Sequence, residues 1–517
     1  MQIAGRGLFS ACAPRCFFWR WPVKNKPVRC PLASKLFPPD QQPNLLEYLT
    51  MVNHRLRLSR KHTNQMLEDH VRALRWLCDR GQSLEAAMER LGPAQLGSFY
   101  QQERTDWYPL DVAAKIYPLS MSVKRMMVFR LSCYLKEPVV PEMLQMALTY
   151  VMRRFPSFAT TIKCGFFWHY LDSGMCRYAV HPETKLPCAV MKVGAVHSPS
   201  LRVVYYQNRI SVEFFHILTD GTGGSIFLRT LVKTYLELLG AAIPDFDGAF
   251  SLADEPDPAE WKDAFPVSGK GPAHGFSDKP ALQMKGMVPL EQPNRVLHYN
   301  LSTKALLEAA HRRGGTMTGF LLGLCMLACR DASRVGRHSG KKIQIQLPVN
   351  MRKFYPVKTL RNFSMYTSIR LHPSQITTLE EMMPDIMAQI KAGTAQQPLE
   401  ETMRLSCRLV RWLRFVPLII KRPIAYFIYG KLGDGVFTTT LSNLGAIRLP
   451  EEMSAYVEKF DFVLGPPVEN RAVLSVCSYG DTTVLTVVKN THLTLFEDAL
   501  YQYLRNEGLE PYMEGSG

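Results

Sequence analysis

The pattern of hydrophobic and polar residues changes its period several times along the chain. Short stretches alternate with period two, as strands do, and longer ones carry apolar residues every three or four positions, as helices do. The clearest strand-like stretches are "VKRMMVFRLSCYL", "KKIQIQLPVNMR", "NFSMYTSIRL", "VFTTTLSNLG", "RAVLSVCSYG" and "TTVLTVVKNTH". The clearest helical ones are "VPEMLQMALTYVMRRFP", "TMTGFLLGLCMLACRDAS" and "LFEDALYQYLRNEG". This alternation predicts an α/β fold.

The segment from Ile210 to Gly240, "ISVEFFHILTDGTGGSIFLRTLVKTYLELLG", contains both periods. The stretch "ISVEFFH" follows "LRVVYY" after the three residues "QNR", which predicts an antiparallel hairpin. Apolar residues then recur at helical spacing from Gly224 to Leu239, which predicts a helix packed on the sheet. His216 therefore ends a strand, and Asp220 lies in the loop before the helix.

Composition divides the chain into three regions. Residues 1–104 begin with a lead to about Gln42, followed by the helical patterns "NQMLEDHVRALRWLCDRG" and "SLEAAMERLG". We expect a disordered lead and a helical appendage; the lead is alternatively sequence upstream of a true start at Met51 or Met66. Residues 241–294 are rich in Pro, Gly and Asp, which predicts a linker between two lobes. We place the lobes at 105–285 and 286–517.

The overall composition is that of a globular protein, with 46% hydrophobic and 21% charged residues among 517. The sequence contains no uninterrupted run of 18 apolar residues, so we expect no transmembrane helix. Near the start, Pro14 and Arg15 interrupt the apolar run that a signal peptide needs. The twelve cysteines lack metal-ligand spacing, and Cys325 and Cys329 lie in an apolar helix pattern. We therefore expect a cytoplasmic chain without a metal site.

The formal net charge of +17 indicates an anionic ligand or partner. No nucleic-acid-binding motif accompanies the charge, so we expect no nucleic-acid partner. Phosphorylated small molecules and anionic membrane surfaces remain as candidates. One basic stretch, Arg404–Lys431, interleaves cations with large apolar residues. It is typical of a membrane-surface helix, of a cap on an apolar tunnel, or of a helix packed on the second lobe; we favour packing.

His216 and Asp220 are the strongest candidates for chemistry. An imidazole at a strand end removes a proton from an attacking alcohol or amine, and a nearby carboxylate fixes the loop. We expect Gly221 and the glycines at 223 and 224 to permit a tight turn and the close approach of a ligand. The alternative is that His216 is a hydrogen-bonded strand-end residue without a chemical role.

The segment "FFHILTDG" resembles the HxxxD motif of the chloramphenicol-acetyltransferase-like superfamily, which includes condensation domains, plant BAHD acyltransferases and bacterial alcohol acetyltransferases. "VPEMLQMALTYVMRRFPSF" and "LPVNMRKFYPVKTLRNFSMYTSIRL" resemble further superfamily segments. "LRFVPLIIKRPIAYFIYG", followed by "TTTLSNLG", is similar to the alcohol acetyltransferase branch. The chain lacks the DFGWG element of BAHD enzymes, and Phe215 stands where condensation domains have a second His. The resemblance, over about residues 106 to 510, implies two α/β lobes with mixed sheets, flanking helices and an inter-lobe tunnel.

The resemblance also implies roles for individual residues. His216 corresponds to the general base, and Asp220 to a structural aspartate whose partner is an arginine of the second lobe, here Arg352. Ser442 and Asn443 correspond to the position that faces the active site from the second lobe, where a hydroxyl or amide donates to an oxyanion or orients the acceptor. The alternatives are a solvated cation for Arg352 and an ordinary turn for the "SNLG" residues.

Together these observations predict an acyl-CoA-dependent O- or N-acyltransferase. It would use acyl-CoA as a co-substrate, bind no further cofactor, and accept a small alcohol or amine. Two alternatives stay open. One is a freestanding condensation-type enzyme that uses carrier-protein thioesters, and the other is an inactive homologue that binds a ligand or a protein partner.

Overall fold

A computed structural model describes residues 28–102, 107–116, 119, 127–174, 176–191, 199–275, 279–287, 295–333, 340–432, 434–467 and 470–516, with backbone alone at 426–432, 434 and 516. These residues form one small and two large β-sheets, each large sheet with helices packed on it. The predicted α/β architecture is confirmed. Among the described helices, none is both long and apolar enough to cross a bilayer.

Within residues 28–102, four α-helices precede the first sheet: α1 (Pro31–Leu36), α2 (Gln42–His54), α3 (Arg60–Cys78) and α4 (Leu84–Arg90). Helices α3 and α4 correspond to the two predicted helical patterns. The lead was expected to be disordered to about Gln42, and this is wrong for the described part, because Ala33 and Phe37 are buried against the following helices. Residues 1–27 lie outside the described residues. Leu45 and Leu74 are fully buried in a core shared with the first lobe, so the appendage packs on that lobe.

The first lobe is built on a five-stranded sheet with the order β12-β2-β7-β6-β5. Its strands are β2 (Val128–Leu135), β5 (Val180–Pro182), β6 (Leu201–Tyr206), β7 (Arg209–Phe215) and β12 (Val457–Leu464). Strands β6 and β7 form the predicted antiparallel hairpin. Helices α6 (Pro141–Arg154) and α7 (Gly221–Leu239) contribute to the core of this lobe. Helix α7 begins three residues earlier than predicted because Asp220 caps it.

A small sheet lies beside this lobe. It has the order β1-β4-β3, from β1 (Trp107–Pro109), β3 (Thr160–Cys164) and β4 (His169–Ser173). The short helix α5 (Val112–Ile116) follows β1 directly.

The second lobe is built on a seven-stranded mixed sheet with the order β10-β9-β11-β13-β14-β8-β15. Its strands are β8 (Arg295–Ser302), β9 (Ile343–Asn350), β10 (Ser364–Leu371), β11 (Thr439–Ile447), β13 (Ala472–Tyr479), β14 (Thr482–Lys489) and β15 (Tyr512–Ser516). Strand β11 runs parallel to both of its neighbours, and the other pairs are antiparallel.

Seven helices belong to the C-terminal half of the chain: α8 (Thr303–Arg312), α9 (Met317–Ala332), α10 (Leu379–Gly393), α11 (Gln396–Trp412), α12 (Leu418–Leu432), α13 (Glu451–Ser454) and α14 (Leu495–Asn506). Cys325 and Cys329 are buried free thiols within α9, as its apolar pattern predicted. Helix α11 buries Leu399 and Met403 before the basic stretch, and Ser406 and Val410 within it, so one face of the helix packs on the protein.

The two lobes are tied together by a strand that crosses between them. Strand β12 comes from the C-terminal half of the chain but pairs antiparallel with β2 of the first sheet. It reaches that sheet directly before β13 returns to the second. The end of β7, the start of α7 and the strands β9 to β11 meet at the junction of the lobes. The boundary placed after residue 285 stays a prediction.

Candidate active site

His216 lies one residue beyond β7, at the junction of the lobes. Its backbone amide donates to the Met127 carbonyl at 2.7 Å, which fixes the chain where the strand ends. Its ring meets the Phe129 ring edge to face, with centroids 5.1 Å apart, and its Nδ1 lies 2.9 Å from Oδ1 of Asn362. The side chain lines a cavity of about 430 Å³ between the two lobes.

Asn362 connects His216 to a buried carboxylate. Nδ2 of Asn362 donates to Oδ2 of Asp111 at 3.1 Å, and Oδ1 of Asp111 accepts from the Ala114 amide at 2.7 Å. Burial raises the pKa of Asp111 to about 6, against the opposing charge of Arg361. Above that pH an ionised Asp111 only accepts hydrogen bonds, so it holds the Asn362 amide with its oxygen toward His216. Nδ1 of His216 is then the donor, and Nε2 carries the lone pair.

Asp220 is 3% exposed and caps the start of α7. Its carboxylate oxygens accept hydrogen bonds from the amides of Thr222 and Gly223 (both 3.2 Å), Nη1 of Arg352 (2.7 Å), the Phe363 amide (2.9 Å) and the Ser364 hydroxyl (3.2 Å). Burial alone would raise the pKa of Asp220. The Arg352 charge and hydrogen bond, together with the two neighbouring backbone amides, outweigh burial and lower the pKa. A carboxylate held by so many donors fixes geometry and is poorly suited to accept a proton.

Arg352 reaches Asp220 from the short turn after β9. Its side chain is 13% exposed and also makes three hydrogen bonds to two backbone carbonyls. Nε donates to the Thr359 carbonyl at 3.0 Å, and Nη2 donates to the carbonyls of Thr359 and Arg361 at 2.9 and 2.6 Å. The guanidinium thus links the loop of the first lobe to the segment that carries Asn362. The structure brings the predicted pair together, and the alternative of a solvated cation is wrong.

The structure gives a different reason from the expected one for the three glycines that follow Asp220. None of the three has a positive φ, so they do not form a left-handed turn; they are the first residues of α7. A Cβ on Gly223 would collide with the Leu360 carbonyl oxygen, and one on Gly221 would lie 3.1 Å from Cδ1 of Leu444. The small residues let the helix start approach the second lobe closely. Gly221 also lines the cavity.

Ser442 and Asn443 lie in β11 and both line the same cavity. The amide of Asn443 is engaged: Nδ2 donates to the Thr318 hydroxyl at 2.9 Å, and Oδ1 accepts from the Gly445 amide at 2.8 Å. This arrangement stabilises an irregularity in the strand between Asn443 and Ala446, where Gly445 has φ of 86°. The Ser442 hydroxyl has no hydrogen-bond partner among the described residues. Of the two side chains, Ser442 therefore has the less engaged polar group.

Five of the six residues selected from the sequence line one cavity, and the sixth, Arg352, stands behind Asp220. Two residues of the site were missed. Asn362 lies in "LRNFSMY", a segment singled out without attention to its amide, and Asp111 lies in "WYPLDVAAK", a stretch without a catalytic pattern. A hydrogen bond across 251 positions of sequence leaves no local signal. In the part of the chain that the structure describes, no cluster of His, Cys, Asp and Glu is arranged to hold a metal ion.

No protein-family model matches the chain, and no curated protein matches it by sequence. Many solved structures show a similar fold, among them two proteins of Fusarium sporotrichioides and a condensation domain. The TRI3 trichothecene 15-O-acetyltransferase from Fusarium sporotrichioides is 13% identical, with a TM-score of 0.53 over 77% of this chain and 94% of that one. The F. sporotrichioides protein TRI101, complexed with coenzyme A and T-2, is 12% identical, with a TM-score of 0.51 over 78% and 99%.

The third is the starter condensation domain of rhizomide synthetase RzmA, a mutant in complex with C8-CoA and Leu-SNAC. It is 15% identical, with a TM-score of 0.51 over 78% of this chain and 93% of that one. The likeness shows the fold: the chain has the two-lobe α/β architecture of these three structures. The fold implied by the sequence resemblance is therefore confirmed.

Proposed function

We propose that this protein is an acyl-CoA-dependent acyltransferase that moves an acyl group from the thioester to an alcohol or amine, with His216 as the general base. The observation that carries the proposal is the chain from Asp111 through Asn362 to Nδ1 of His216. It leaves Nε2 as the basic nitrogen of a side chain that lines the inter-lobe cavity.

The reaction would proceed in one covalent exchange without an acyl-enzyme. Nε2 of His216 takes the proton of the acceptor hydroxyl or amine as that oxygen or nitrogen attacks the thioester carbonyl. The carbonyl oxygen becomes an oxyanion, to which the Ser442 hydroxyl donates from the opposite wall. Collapse of the tetrahedral intermediate breaks the carbon–sulfur bond, and the thiolate takes the proton from His216 to give free CoA.

Asp220 and Arg352 have a positioning role in this proposal. Their ion pair joins the loop after His216 to the segment that carries Asn362, so it sets the distance between the base and the residue that orients it. Arg352 is not one of the described residues that line the cavity, and this suits a role behind the reacting groups.

Likeness to other proteins supports the proposed donor and the proposed branch of the family. The names of the similar structures include an O-acetyltransferase, a complex with coenzyme A and a complex with C8-CoA. These support acyl-CoA as the co-substrate. The segment "LRFVPLIIKRPIAYFIYG" followed by "TTTLSNLG" favours an activity of the bacterial alcohol acetyltransferase kind.

The test is an incubation of the full chain with acetyl-CoA and pooled alcohols and amines, in which products are identified by mass spectrometry and CoA release is followed as free thiol. We expect acceptor-dependent thiol release that falls by about 10²- to 10⁴-fold in His216→Ala. His274→Ala is the matched control, because His274 is 77% exposed and does not line the cavity. Undiminished turnover in His216→Ala would refute the assignment of the base.

A parallel incubation with an acyl-carrier protein separates the remaining alternative. Transfer from the carrier-bound thioester and none from acyl-CoA would replace the proposal with a condensation-type enzyme. Transfer from neither, with ligand binding retained, would replace it with a binding homologue.

A further inference from the structure

A second and larger cavity lies outside the candidate active site. Its volume is about 1230 Å³, and it shares no described lining residue with the cavity of His216. It lies between the small sheet, the loop at 263–270 and helix α11. Ligand-binding cavities commonly have volumes of about 300 to 1,000 Å³, so its size is sufficient for a small molecule.

The walls of this second cavity are largely apolar. Trp107 and Leu110 come from β1 and the residue after it, Trp168 precedes β4, and Val410 comes from α11. Such walls favour a hydrocarbon over water, because burial of apolar surface is worth about 25 cal/mol per Å².

The lining also carries an excess of cations that lack carboxylate partners. Lys115, Lys270, Arg411 and Arg414 form no ion pair with a described residue. Two further lining cations differ, since Arg404 pairs with Glu400 at 2.6 Å and Arg408 donates to the Gly271 carbonyl at 2.6 Å. Of the two lining carboxylates, Asp172 pairs with Lys163. Asp263 accepts from the Phe265 amide at 3.1 Å and interacts electrostatically with Lys115, so it offsets one of the four cations. The remaining charge of the lining is positive and suits an anionic group.

An exposed apolar surface adjoins this cavity. Phe166, Trp412, Phe415 and Ile419 are 73%, 76%, 70% and 82% exposed. The Leu418 amide donates to the Phe166 carbonyl at 2.9 Å, which joins the turn between β3 and β4 to the start of α12.

Lys421 connects this surface to the cavity wall. Its Nζ donates to the Phe167 carbonyl at 2.7 Å and lies 3.3 Å from the centroid of the Trp168 ring. Contiguous exposed apolar residues of this size indicate contact with lipid, detergent-like molecules or another macromolecule. Between residues 402 and 433 the sequence contains seven Lys or Arg and no Asp or Glu.

We propose that the second cavity is a binding site for an amphiphile with a hydrocarbon chain and an anionic head group. The chain lies against the walls formed by Trp107, Trp168 and Val410, and the head group contacts the unpartnered cations, chiefly Arg411 and Arg414. The apolar surface at its side lets the amphiphile arrive either as a dissolved monomer or from a bilayer. The site does not depend on the proposed acyl transfer.

The experiment measures binding of the fluorescent fatty acid cis-parinarate to the full chain. We expect saturable binding that weakens by about tenfold or more in the double variant R411E/R414E, because both exposed cations are reversed. The matched control is R55E/R60E, two exposed arginines of which one follows α2 and the other begins α3, and it should bind as wild type does. Val410→Trp fills the cavity and should also weaken binding, with circular dichroism used to establish that each variant is folded.

The outcomes separate this site from the active site. His216→Ala should bind cis-parinarate with wild-type affinity whether or not acyl transfer exists. Loss of binding in His216→Ala would place the ligand in the catalytic cavity and overturn the proposal. Absence of saturable binding, or equal affinity in wild type and R411E/R414E, would overturn it as well.

A second arm identifies the source of the amphiphile. The full chain and the double variant W412S/F415S are sedimented with phosphatidylglycerol vesicles. Sedimentation of wild type that the variant loses, with cis-parinarate binding retained in both, supports the site with supply from a bilayer. Binding of cis-parinarate without sedimentation of wild type supports the site with supply from solution.

Discussion

The substitution Asp220→Asn tests the interaction that joins the two lobes at the candidate site. It keeps the size of the side chain but replaces one oxygen by an NH2 group and removes the negative charge. Asp220 accepts from three donors on one oxygen and two on the other, so either orientation of the new amide places its NH2 against N–H or O–H donors. The Arg352 guanidinium also loses its only described carboxylate partner.

The magnitude follows from burial. Loss of one partner of a buried ion pair costs about 3–5 kcal/mol, and we expect Asp220→Asn at the lower end because Arg352 keeps its backbone acceptors. The free energy of unfolding is measured by urea denaturation followed by tryptophan fluorescence. Asp257→Asn is the control, since Asp257 also caps a helical turn and pairs with a lysine but is much more exposed.

The pH dependence gives an independent check. The pKa of Asp220 is lowered in the folded state, so its stabilisation is present above the unfolded-state pKa and is lost as the pH falls through the lowered folded-state value. The difference in unfolding free energy between wild type and Asp220→Asn should therefore be constant near pH 7 and shrink only in acid below about 3.8, the ordinary value. A variant that unfolds at the same urea concentration as wild type at pH 7 would refute the reasoning.

Three further substitutions test the groups around His216. In Asp111→Asn the new NH2 group meets Nδ2 of Asn362, so the Asn362 amide turns over and donates to Nδ1 of His216. The imidazole proton of His216 then moves to Nε2. We expect a loss of rate of about 10²-fold or more. The pKa of Asp111 is raised to about 6, so the stability that its neutral form contributes to wild type is lost as the pH rises through that value. Relative to wild type, Asp111→Asn should therefore be more stable at pH 7 than at pH 4. Loss of rate together with loss of stability at pH 7 would contradict the positioning role. Ser442→Ala should lower kcat by about 10- to 10²-fold with little change in stability, measured by steady-state kinetics and urea denaturation. Asn443→Ala should lower stability instead, since its amide holds the irregularity in β11, and equal effects of the two substitutions would contradict the assignment of the oxyanion donor.

The elements that were predicted correctly are those with a strong local pattern. The hairpin of β6 and β7 follows from alternation on both sides of a short turn, and α6 follows from helical spacing between Pro141 and Pro156. Helix α7 was placed within three residues, and the difference arises because the Asp220 side chain caps the helix at Gly221. The missed helix α1 is six residues long, and its order depends on burial against α3 rather than on its own periodicity.

The sequence by itself determined the period of the strands and helices that have a strong local pattern, and it marked His216 and Asp220, because these signals lie within a few consecutive residues. The tertiary structure alone decided that Asp111 and Asn362 stand behind His216, and that β12 leaves the second half of the chain to pair with β2. It also decided that Ser442 rather than Asn443 keeps its polar group available to the cavity. The physical reason is that hydrogen bonds between positions more than a hundred residues apart depend on how the sheets are arranged, and a period of two or 3.6 residues carries no information about that arrangement.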